Sequence, residues 1–394
     1  MSRRIFGNDV AAALGNVPEG AEALEVITRL RTQLPLETAR AAAELHALRA
    51  RATRRFPDGR LHFLTAKGLE QASAPAVAEA RAQHIAERFP GGAVYDATCG
   101  LGSESLALAA AGLRVIAADL DEHTLACARA NLEHAGQAAS CVRADALTHA
   151  VRADVLLLDP DRRTDGKRTL APERWSPAFS ACLTVAANYA GAHMKLAPAF
   201  DPSAAPPIDR PARWQWVSLK RSLVEVGLWL GELGPGDPAE REVLALDGQG
   251  GAARWTARPA EIAALAPEQA RAIQWLAEPD PAIIRAGLVG AYAAECGARP
   301  LDPHLAYLGS MEAPDGELLA RWRVLEVCSL DRKRVREMLR RADIGPLTVK
   351  KRGHPDTALE LARRLEGPGE RPGLLAVARL GNGHVAYLLD PESA

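Results

Sequence analysis

Apolar residues recur at spacings of three and four along the first 70 residues, which is the pattern of amphipathic helices. Two stretches show it most clearly, ALEVITRLRTQ at 23–33 and ETARAAAELHALRARATRRF at 37–56. Pro35 lies between them, and the Pro-Asp-Gly sequence at 57–59 is typical of a turn. We therefore predict an N-terminal helical domain over residues 1–70.

From about residue 93 the pattern changes to short apolar runs separated by helical periods. The runs AVYDA, LRVIAAD and ADVLLLDP predict strands, and the segments between them predict helices. Such alternation is typical of βαβ units, in which helices cover both faces of a parallel sheet. Later strands follow without helices, and a glycine-rich connection at 247–251 predicts antiparallel pairing there. We predict an α/β domain over residues 71–258.

Beyond residue 258, shorter strands and helices are mixed. Residues 259–279 mark a join, and the apolar period over 280–297 predicts a single helix. The final segment, LLAVARLGNGHVAYLLD, predicts a hairpin because its Gly-Asn-Gly centre suits a tight turn. We predict an α+β region made of two segments, 259–322 and 323–394.

Composition narrows the class of protein. The 394 residues are 48% hydrophobic and 25% charged, as in soluble globular proteins, and the net charge of −1 gives no global sign of a polyanionic partner. The six cysteines form no C-x-x-C pair, which argues against a zinc ribbon or disulfide scaffold and favours the reducing cytoplasm. Without a long apolar run or clustered histidines, we expect neither a membrane segment nor a metal site.

Candidate chemistry lies where the predicted strands end. Asp96 ends the first strand and is followed by Gly100 and Gly102, and Asp119 ends the second strand. Glycines let a backbone approach a ligand closely, and a carboxylate in the position of Asp119 can accept both hydroxyls of a ribose. Asp145 ends the third strand, so three acids are expected at one edge of the sheet.

The loop itself separates two ligand classes. A dinucleotide-binding loop needs a third glycine, which is Ser105 here, and an acid such as Asp96 would repel a pyrophosphate. Asp96 instead suits a ligand with a cationic amino group and no phosphate, such as S-adenosyl-L-methionine, with Asp145 accepting from the adenine amine. The plainer alternative is that the glycines form a tight turn and the aspartates cap helices.

The segments DATCGLG, AADLD, RADA and LLDP resemble the successive motifs of class I S-adenosylmethionine-dependent methyltransferases. The resemblance covers roughly residues 70–258 and implies a Rossmann-like, seven-stranded sheet that binds the cofactor over Asp96, Gly100, Gly102, Asp119 and Asp145. Flanking segments, including LAEPDPAIIRAGLVGA and TVKKRG, resemble a bacterial subfamily with a ferredoxin-like segment and a C-terminal THUMP-like domain, regarded as RNA methyltransferases.

Gln71, in the upstream segment GLEQAS, matches a further motif of that subfamily. The resemblance implies that Gln71 closes over the methionine end of the cofactor. A polar residue near a helix end, with no contact to a ligand, is the alternative.

The fourth predicted strand runs into VLLLDPDRRTDGKR at 155–168. In this fold its end lies beside the methyl group, so we predict that Asp159 and Pro160 orient an amine for methylation. Enzymes of that type carry an aromatic residue three positions after the acid to stack the base, but here that position holds Arg162. Arg162 and Arg163 can bind a phosphate, or they can be solvated loop residues.

A second group of cations lies near the C-terminus. Residues 332–352 contain nine Lys or Arg against two acids, arranged on a predicted amphipathic helix and the strand after it. Two such segments can converge into a phosphate-binding patch, although arginines on a helix are often only solvated. The candidate RNA contacts here are Arg336, Arg340, Lys350, Lys351 and Arg352.

The sequence therefore predicts an S-adenosylmethionine-dependent methyltransferase that modifies a base in structured RNA, either tRNA or rRNA. We expect direct methyl transfer with no metal and no covalent enzyme intermediate. Two alternatives stay open. The substrate can be a protein or small molecule, or the chain can be a non-catalytic RNA-binding protein with a vestigial methyltransferase fold.

Overall fold

The computed structural model describes residues 5–6, 8–18, 20–147, 151–164, 167–169, 171–237 and 239–393, with only the backbone at 8, 163–164 and 167–168. The described chain forms two compact units. The first comprises residues 1–214, 225–238 and 248–250, and the second comprises residues 215–224, 239–247 and 251–394.

Five helices precede the first strand, as the helical periodicity predicts. They are α1 (Asn8–Gly15), α2 (Ala23–Arg31), α3 (Leu36–Ala52), α4 (Ala66–Gln71) and α5 (Pro75–Arg88). Their apolar positions are buried, with Leu30 and Leu45 among the most enclosed side chains of the unit. Between the apolar positions, charged side chains pair along the solvent face, as Glu25 and Arg29 do at 2.9 Å.

The following part of the chain alternates strands and helices. Its helices are α6 (Ser103–Ala110), α7 (Glu122–His134) and α8 (Phe179–Ala186), with short 3₁₀ helices at Pro172–Arg174 and Pro202–Ala204. Its strands are β1 (Ala93–Asp96), β2 (Arg114–Asp119), β3 (Ala139–Arg143), β4 (Val155–Leu158), β5 (Arg163–Thr164), β6 (Lys167–Arg168), β7 (Gly191–Leu196), β8 (Ala212–Leu219), β9 (Ser222–Gly231), β10 (Arg241–Leu246) and β11 (Ala252–Ala257).

Nine of these strands form one mixed sheet in the order β11-β10-β8-β9-β7-β4-β1-β2-β3. The strands β3, β2, β1, β4 and β7 pair in parallel, and β9 runs antiparallel to β7. The antiparallel pairing of β10 with β11 confirms the prediction from the glycine-rich connection. The seven strands from β3 to β8 thus match the expected sheet, and β10 and β11 extend it.

The central strand β4 shows why this sequence forms a parallel sheet. All four of its residues, Val155–Leu158, are buried, because neighbouring strands lie on both sides and helices cover both faces. A continuous apolar run is the pattern expected for such a strand. Its end therefore emerges from the core directly at Asp159.

The second unit contains a seven-stranded sheet in the order β13-β14-β12-β15-β18-β17-β16. Its strands are β12 (Trp275–Pro279), β13 (Arg299–Pro300), β14 (Leu308–Ser310), β15 (Leu319–Ser329), β16 (Ile344–Arg352), β17 (Arg371–Leu380) and β18 (Gly383–Leu389). Its helices are α9 (Pro267–Ala272), α10 (Pro281–Arg285), α11 (Val289–Glu295), α12 (Arg332–Arg341) and α13 (Ala358–Leu365), and a 3₁₀ helix spans Pro391–Ser393.

Two features of this unit bear on the predictions. The β17–β18 hairpin is confirmed, and its turn residue Gly381 has a φ of +59°. The single helix predicted over 280–297 is wrong: it is divided into α10 and α11 because Gly287, at a φ of +68°, takes a left-handed conformation that ends α10. The boundary predicted at 322/323 stays a prediction, and β15 runs across it.

One buried amide joins the N-terminal segment to the glycine-rich loop. Asn131 of α7 is fully buried, and its Oδ1 accepts hydrogen bonds from the backbone N–H of His62 at 2.8 Å and of Phe63 at 2.7 Å. Its Nδ2 donates to the carbonyls of Phe63 and Leu101, both at 3.0 Å. The amide thus holds the chain just before α4 against the loop between Gly100 and Gly102.

We predict that Asn131→Ala lowers the free energy of unfolding by about 3 kcal/mol, since buried backbone groups lose their partners. The measurement is the urea midpoint, followed by circular dichroism. Asn188→Ala is the control because Asn188 is exposed and its amide donates to the carbonyls of Thr184 and Val185 in the last turn of α8. Equal midpoints for Asn131→Ala and the wild type would contradict the role of this amide.

Candidate active site

A cavity of about 780 Å³ opens at the carboxyl ends of the parallel strands. Asp96 ends β1, Asp119 ends β2, Asp145 follows β3 and Asp159 follows β4, and all four line the cavity. The position of these acids at one edge follows from parallel pairing, because each strand of β2, β1 and β4 leaves the core on the same side.

The glycine-rich loop between β1 and α6 forms one wall. Gly100 has a φ of +55° and lines the cavity, with open space where a Cβ would lie. Gly102 has a φ of +83° and is the N-cap of α6, and a Cβ there would lie 3.3 Å from the Cβ of Ala128. Gly102 does not line the cavity, so its requirement for glycine comes from the tight turn and close packing.

Asp96 is the most deeply buried acid of the cavity, at 2% exposure. Its carboxylate accepts a hydrogen bond from the Ser105 hydroxyl at 2.6 Å. Burial raises the pKa of Asp96 to about 7, and this bond only partly offsets that effect. Ser105, which replaces the third glycine of a dinucleotide loop, therefore serves as a partner for the acid before the loop.

Asp119 and Asp145 are more accessible. Asp119 accepts hydrogen bonds from the backbone N–H of Gly100 at 3.2 Å and of Asp121 at 2.9 Å, which fix its carboxylate beside the loop. Burial raises the pKa of Asp119, and these two bonds oppose the rise. Asp145 is exposed, and its carboxylate accepts from the N–H of Leu147 at 2.9 Å.

The end of β4 is held by polar contacts on both sides. The backbone N–H of Asp159 donates to the Thr98 hydroxyl at 2.7 Å. The carboxylate of Asp159 forms an ion pair with Lys195 of β7 at 2.7 Å. Asp161 likewise pairs with Lys67 at 2.9 Å. Pro160 is buried and does not line the cavity.

Of the two arginines after Asp159, the structure describes the side chain of Arg162 and only the backbone of Arg163, and their contact with a substrate stays a prediction. Arg162 is half-buried and is not among the lining residues, and its carbonyl accepts from the N–H of Thr169 at 2.9 Å. Arg163 belongs to β5, whose backbone pairs with β6 in a two-stranded hairpin. The segment is thus partly structured rather than an extended loop.

Gln71, at the end of α4, does line the cavity. Its side chain is exposed, and its backbone carbonyl accepts a hydrogen bond from Lys195 Nζ at 3.2 Å. The structure therefore brings Gln71 to the cavity, next to the Lys195–Asp159 pair.

Sequence reasoning missed a group of buried charges behind Asp159. Arg81 of α5 is 4% exposed and pairs with Glu104 of α6 and Glu225 of β9. Burial opposes the ionised form of Glu104, yet Arg81 lowers the pKa of Glu104. One residue in the sequence could have indicated these buried charges. It is Lys195, a lysine inside the largely apolar strand sequence GAHMKL.

The predicted RNA contacts of the C-terminal region lie in the second unit. Arg336 and Arg340 are exposed on α12, and Arg340 pairs with Glu337 at 2.8 Å. On β16, Lys350 and Arg352 pair with the same carboxylate, that of Glu278, at 2.7 and 2.8 Å. The ammonium of Lys351, also on β16, donates to the carbonyl of His354 at 2.7 Å.

The cavity residues fit S-adenosyl-L-methionine. The volume is within the roughly 300–1,000 Å³ of sites that enclose a small molecule. The buried carboxylate of Asp96 suits an ammonium group, and Asp119 presents an acceptor beside the open backbone at Gly100. Among the described residues, no group of three or more His, Cys, Asp and Glu could hold a metal ion, and no helix is long and apolar enough to cross a membrane.

Comparisons with known proteins agree with this fold. A THUMP domain-like family model matches residues 319–391. The fold resembles the crystal structure of a protein from Porphyromonas gingivalis W83 described as a methyltransferase. The two share 17% identity and a TM-score of 0.78, over 99% of this chain and 98% of that chain.

The sequence is also similar to uncharacterized S-adenosylmethionine-dependent methyltransferases of Mycobacterium tuberculosis, from strains CDC 1551 and H37Rv. Each is 32% identical over 333 residues, which is 83% of this chain and 87% of the relative. The fold class, the cofactor and the THUMP-like region predicted from the sequence are thereby confirmed. The chain belongs to the S-adenosylmethionine-dependent methyltransferases.

Proposed function

We propose that the protein methylates structured RNA, either tRNA or rRNA, with the cavity of the first unit as the catalytic site. The observation that carries this proposal is an exposed cationic surface on α12, within the region that matches the THUMP domain-like model. That surface consists of the exposed residues Arg332, Lys333, Arg334 and Arg336.

The charge on α12 is distributed unevenly. Arg340 and Arg341, in its last turn, pair with Glu337, and Arg341 also pairs with Glu326. The four cations of the exposed surface precede these pairs, and the Asp331 carboxylate caps the helix through the N–H groups of Lys333 and Arg334. A cluster of exposed cations is what a phosphate backbone requires.

The strand residues predicted to contact RNA have a structural role that explains their presence. Lys350 and Arg352 share the carboxylate of Glu278, and Lys350 Nζ also lies 4.9 Å from the centre of the Trp322 ring. The carboxylate of Glu278 balances one of their two positive charges and holds both side chains within the unit. We therefore assign the main RNA contacts to α12, and the contacts of Lys350, Lys351 and Arg352 with RNA stay predictions.

In the catalytic site, the cofactor supplies a methyl group activated by its sulfonium. We infer that Asp96 pairs with the amino group, Asp119 accepts from the ribose, Asp145 accepts from the adenine amine and Gln71 lies at the methionine end. Asp159 orients the acceptor, and the role of the Pro160 carbonyl stays a prediction because Pro160 does not line the cavity. A base amine is the acceptor that the sequence favours. All six cysteines are free thiols, which supports the predicted cytoplasmic location.

We predict that reversing charge on α12, in the double variant Lys333→Glu/Arg336→Glu, weakens RNA binding at least about tenfold in 0.1 M salt, because two phosphate contacts are lost. The measurement is fluorescence anisotropy with tRNA and rRNA fragments over a range of salt concentrations. Binding of S-adenosylhomocysteine, by calorimetry, should stay unchanged.

The matched control for this prediction is Arg29→Glu/Arg40→Glu, which reverses two exposed arginines of α2 and α3. Equal losses in both double variants, or none in the α12 variant, would rule out α12 as the RNA surface. Absence of salt-dependent RNA binding by the wild type would favour a protein or small-molecule substrate instead.

A second prediction concerns Asp96 and pH. Because the pKa of Asp96 is about 7, its carboxylate is mostly neutral at pH 6 and mostly ionised at pH 8. An ammonium ligand prefers the ionised form, so affinity for S-adenosylhomocysteine should rise about tenfold between these values. Calorimetry on the wild type and on Asp96→Asn tests this, and the variant should lose the rise. Asp9→Asn, an exposed acid of α1, is the control.

A further inference from the structure

The predicted reaction point carries an ion pair that the sequence did not reveal. Lys195 Nζ lies 2.7 Å from Asp159 Oδ2 and 3.2 Å from the carbonyl oxygen of Gln71. The Lys195 side chain is 20% exposed, and it lines the cavity together with both of these residues. One carboxylate oxygen of Asp159 is thus already occupied by a cation.

The pair belongs to a larger set of buried charges. Arg81 bridges Glu104 and Glu225 behind it, and the neutral ring of His193 lies two residues before Lys195 on the same strand. Burial, with Arg81 nearby, keeps the pKa of His193 well below its ordinary value. The charged and titratable groups that act on Lys195 include Asp159, Glu225, Glu104 and His193, and Arg81 is paired with the two glutamates.

The rings available for stacking a base in the cavity are few. Among the described residues that line it there is no Phe, Tyr or Trp, and the rings present are the imidazoles of His123 and of the buried His193. Enzymes that methylate a base amine need to hold the flat ring in place, and aromatic stacking contributes about 1–3 kcal/mol per base. Arg162, at the position where such an aromatic would lie, is not a lining residue.

The ion pair at the reaction point bears on the type of acceptor. An amine that attacks a methyl group gains positive charge, which the carboxylate of Asp159 favours and the ammonium of Lys195 opposes, so the pair gives an amine no net assistance. A hydroxyl must lose its proton, and a lysine can take the proton and then stabilise the developing negative oxygen. Lys195, held by Asp159, matches the second case.

We propose that the acceptor is a ribose 2′-hydroxyl of RNA and that Lys195 is the catalytic residue that takes its proton. This inference rests on the proposed RNA methyltransferase function and replaces the base amine with the hydroxyl that every internal ribonucleotide carries. Asp159 is then a positioning residue, which orients the amine of Lys195 through their ion pair.

The step balances without a further reactant. The hydroxyl proton passes to the neutral amine of Lys195, and the oxygen forms a bond to the methyl carbon. The bond between that carbon and sulfur breaks, and its electron pair stays on sulfur. The products are the 2′-O-methyl ether, S-adenosylhomocysteine and a Lys195 ammonium paired with Asp159.

The cofactor's own charge can make the amine of Lys195 available. Burial lowers the pKa of Lys195, but the charges of Asp159 and Glu225 outweigh burial and raise it, so Lys195 is an ammonium before the cofactor binds. A sulfonium placed nearby repels that ammonium and favours loss of its proton. S-adenosylhomocysteine has the same amino acid and nucleoside parts but a neutral sulfur, so it lacks this effect.

Calorimetry of the full-length protein tests this directly, without turnover. Titrations with each ligand at pH 8.5, in two buffers of different ionisation enthalpy, give the number of protons released. We expect the wild type to release more protons with S-adenosylmethionine than with S-adenosylhomocysteine, and Lys195→Met to show no difference. Lys220→Met, at an exposed turn, should behave as the wild type. Equal release by the wild type with both ligands would overturn the role of Lys195.

The identity of the product tests the acceptor. RNA from cells that lack the gene is incubated with the purified protein and S-adenosylmethionine, and its nucleosides are analysed by mass spectrometry. We expect a 2′-O-methyl nucleoside, with at least about 100-fold slower formation by Lys195→Met and Lys195→Arg. A methylated base would overturn the hydroxyl acceptor and leave the RNA methyltransferase function standing. If the catalytically active wild-type protein methylates no RNA, the proposed function itself is overturned, and this inference with it.

Discussion

The parallel pairing of β2, β1, β4 and β7 determines where this chain can perform chemistry. Strands buried on both faces are mostly apolar along their length, so most of their polar residues lie near the ends. Asp96, Asp119 and Asp159 lie where three of these strands leave the core, which brings distant parts of the sequence to one cavity. The glycine-rich loop and the ion pair at Asp159 both depend on that arrangement.

Concentrating carboxylates in one cavity has an electrostatic cost, which the structure offsets in two ways. The Ser105 hydroxyl donates a hydrogen bond to Asp96. Lys195 pairs with Asp159, and Arg81 pairs with Glu104 and Glu225. Buried ion pairs of this kind contribute little net stability, because desolvation cancels much of the attraction. Their value here is to fix the orientation and charge of the groups that face the methyl donor.

The acids at the strand ends could be predicted from the sequence, because each follows an apolar run or a glycine-rich loop in a local pattern. The pairing of Lys195 with Asp159 and of Arg81 with Glu225 could not, since these partners are 36 and 144 residues apart. The same limit applies to Lys350 and Arg352, whose common partner Glu278 lies more than 70 residues away. Their sequence pattern indicates a cationic surface, but a distant carboxylate binds both side chains and balances one of their two charges.

The most direct measurement is a crystal structure of the protein with S-adenosylhomocysteine bound. We predict that its amino group lies beside Asp96, its ribose lies on Asp119, and its sulfur faces the Lys195–Asp159 pair. An acceptor oxygen could then approach within about 3.5 Å of both the methyl position and Lys195 Nζ. A ligand bound with its sulfur turned away from Lys195, or outside this cavity, would contradict the assignment of the reaction point.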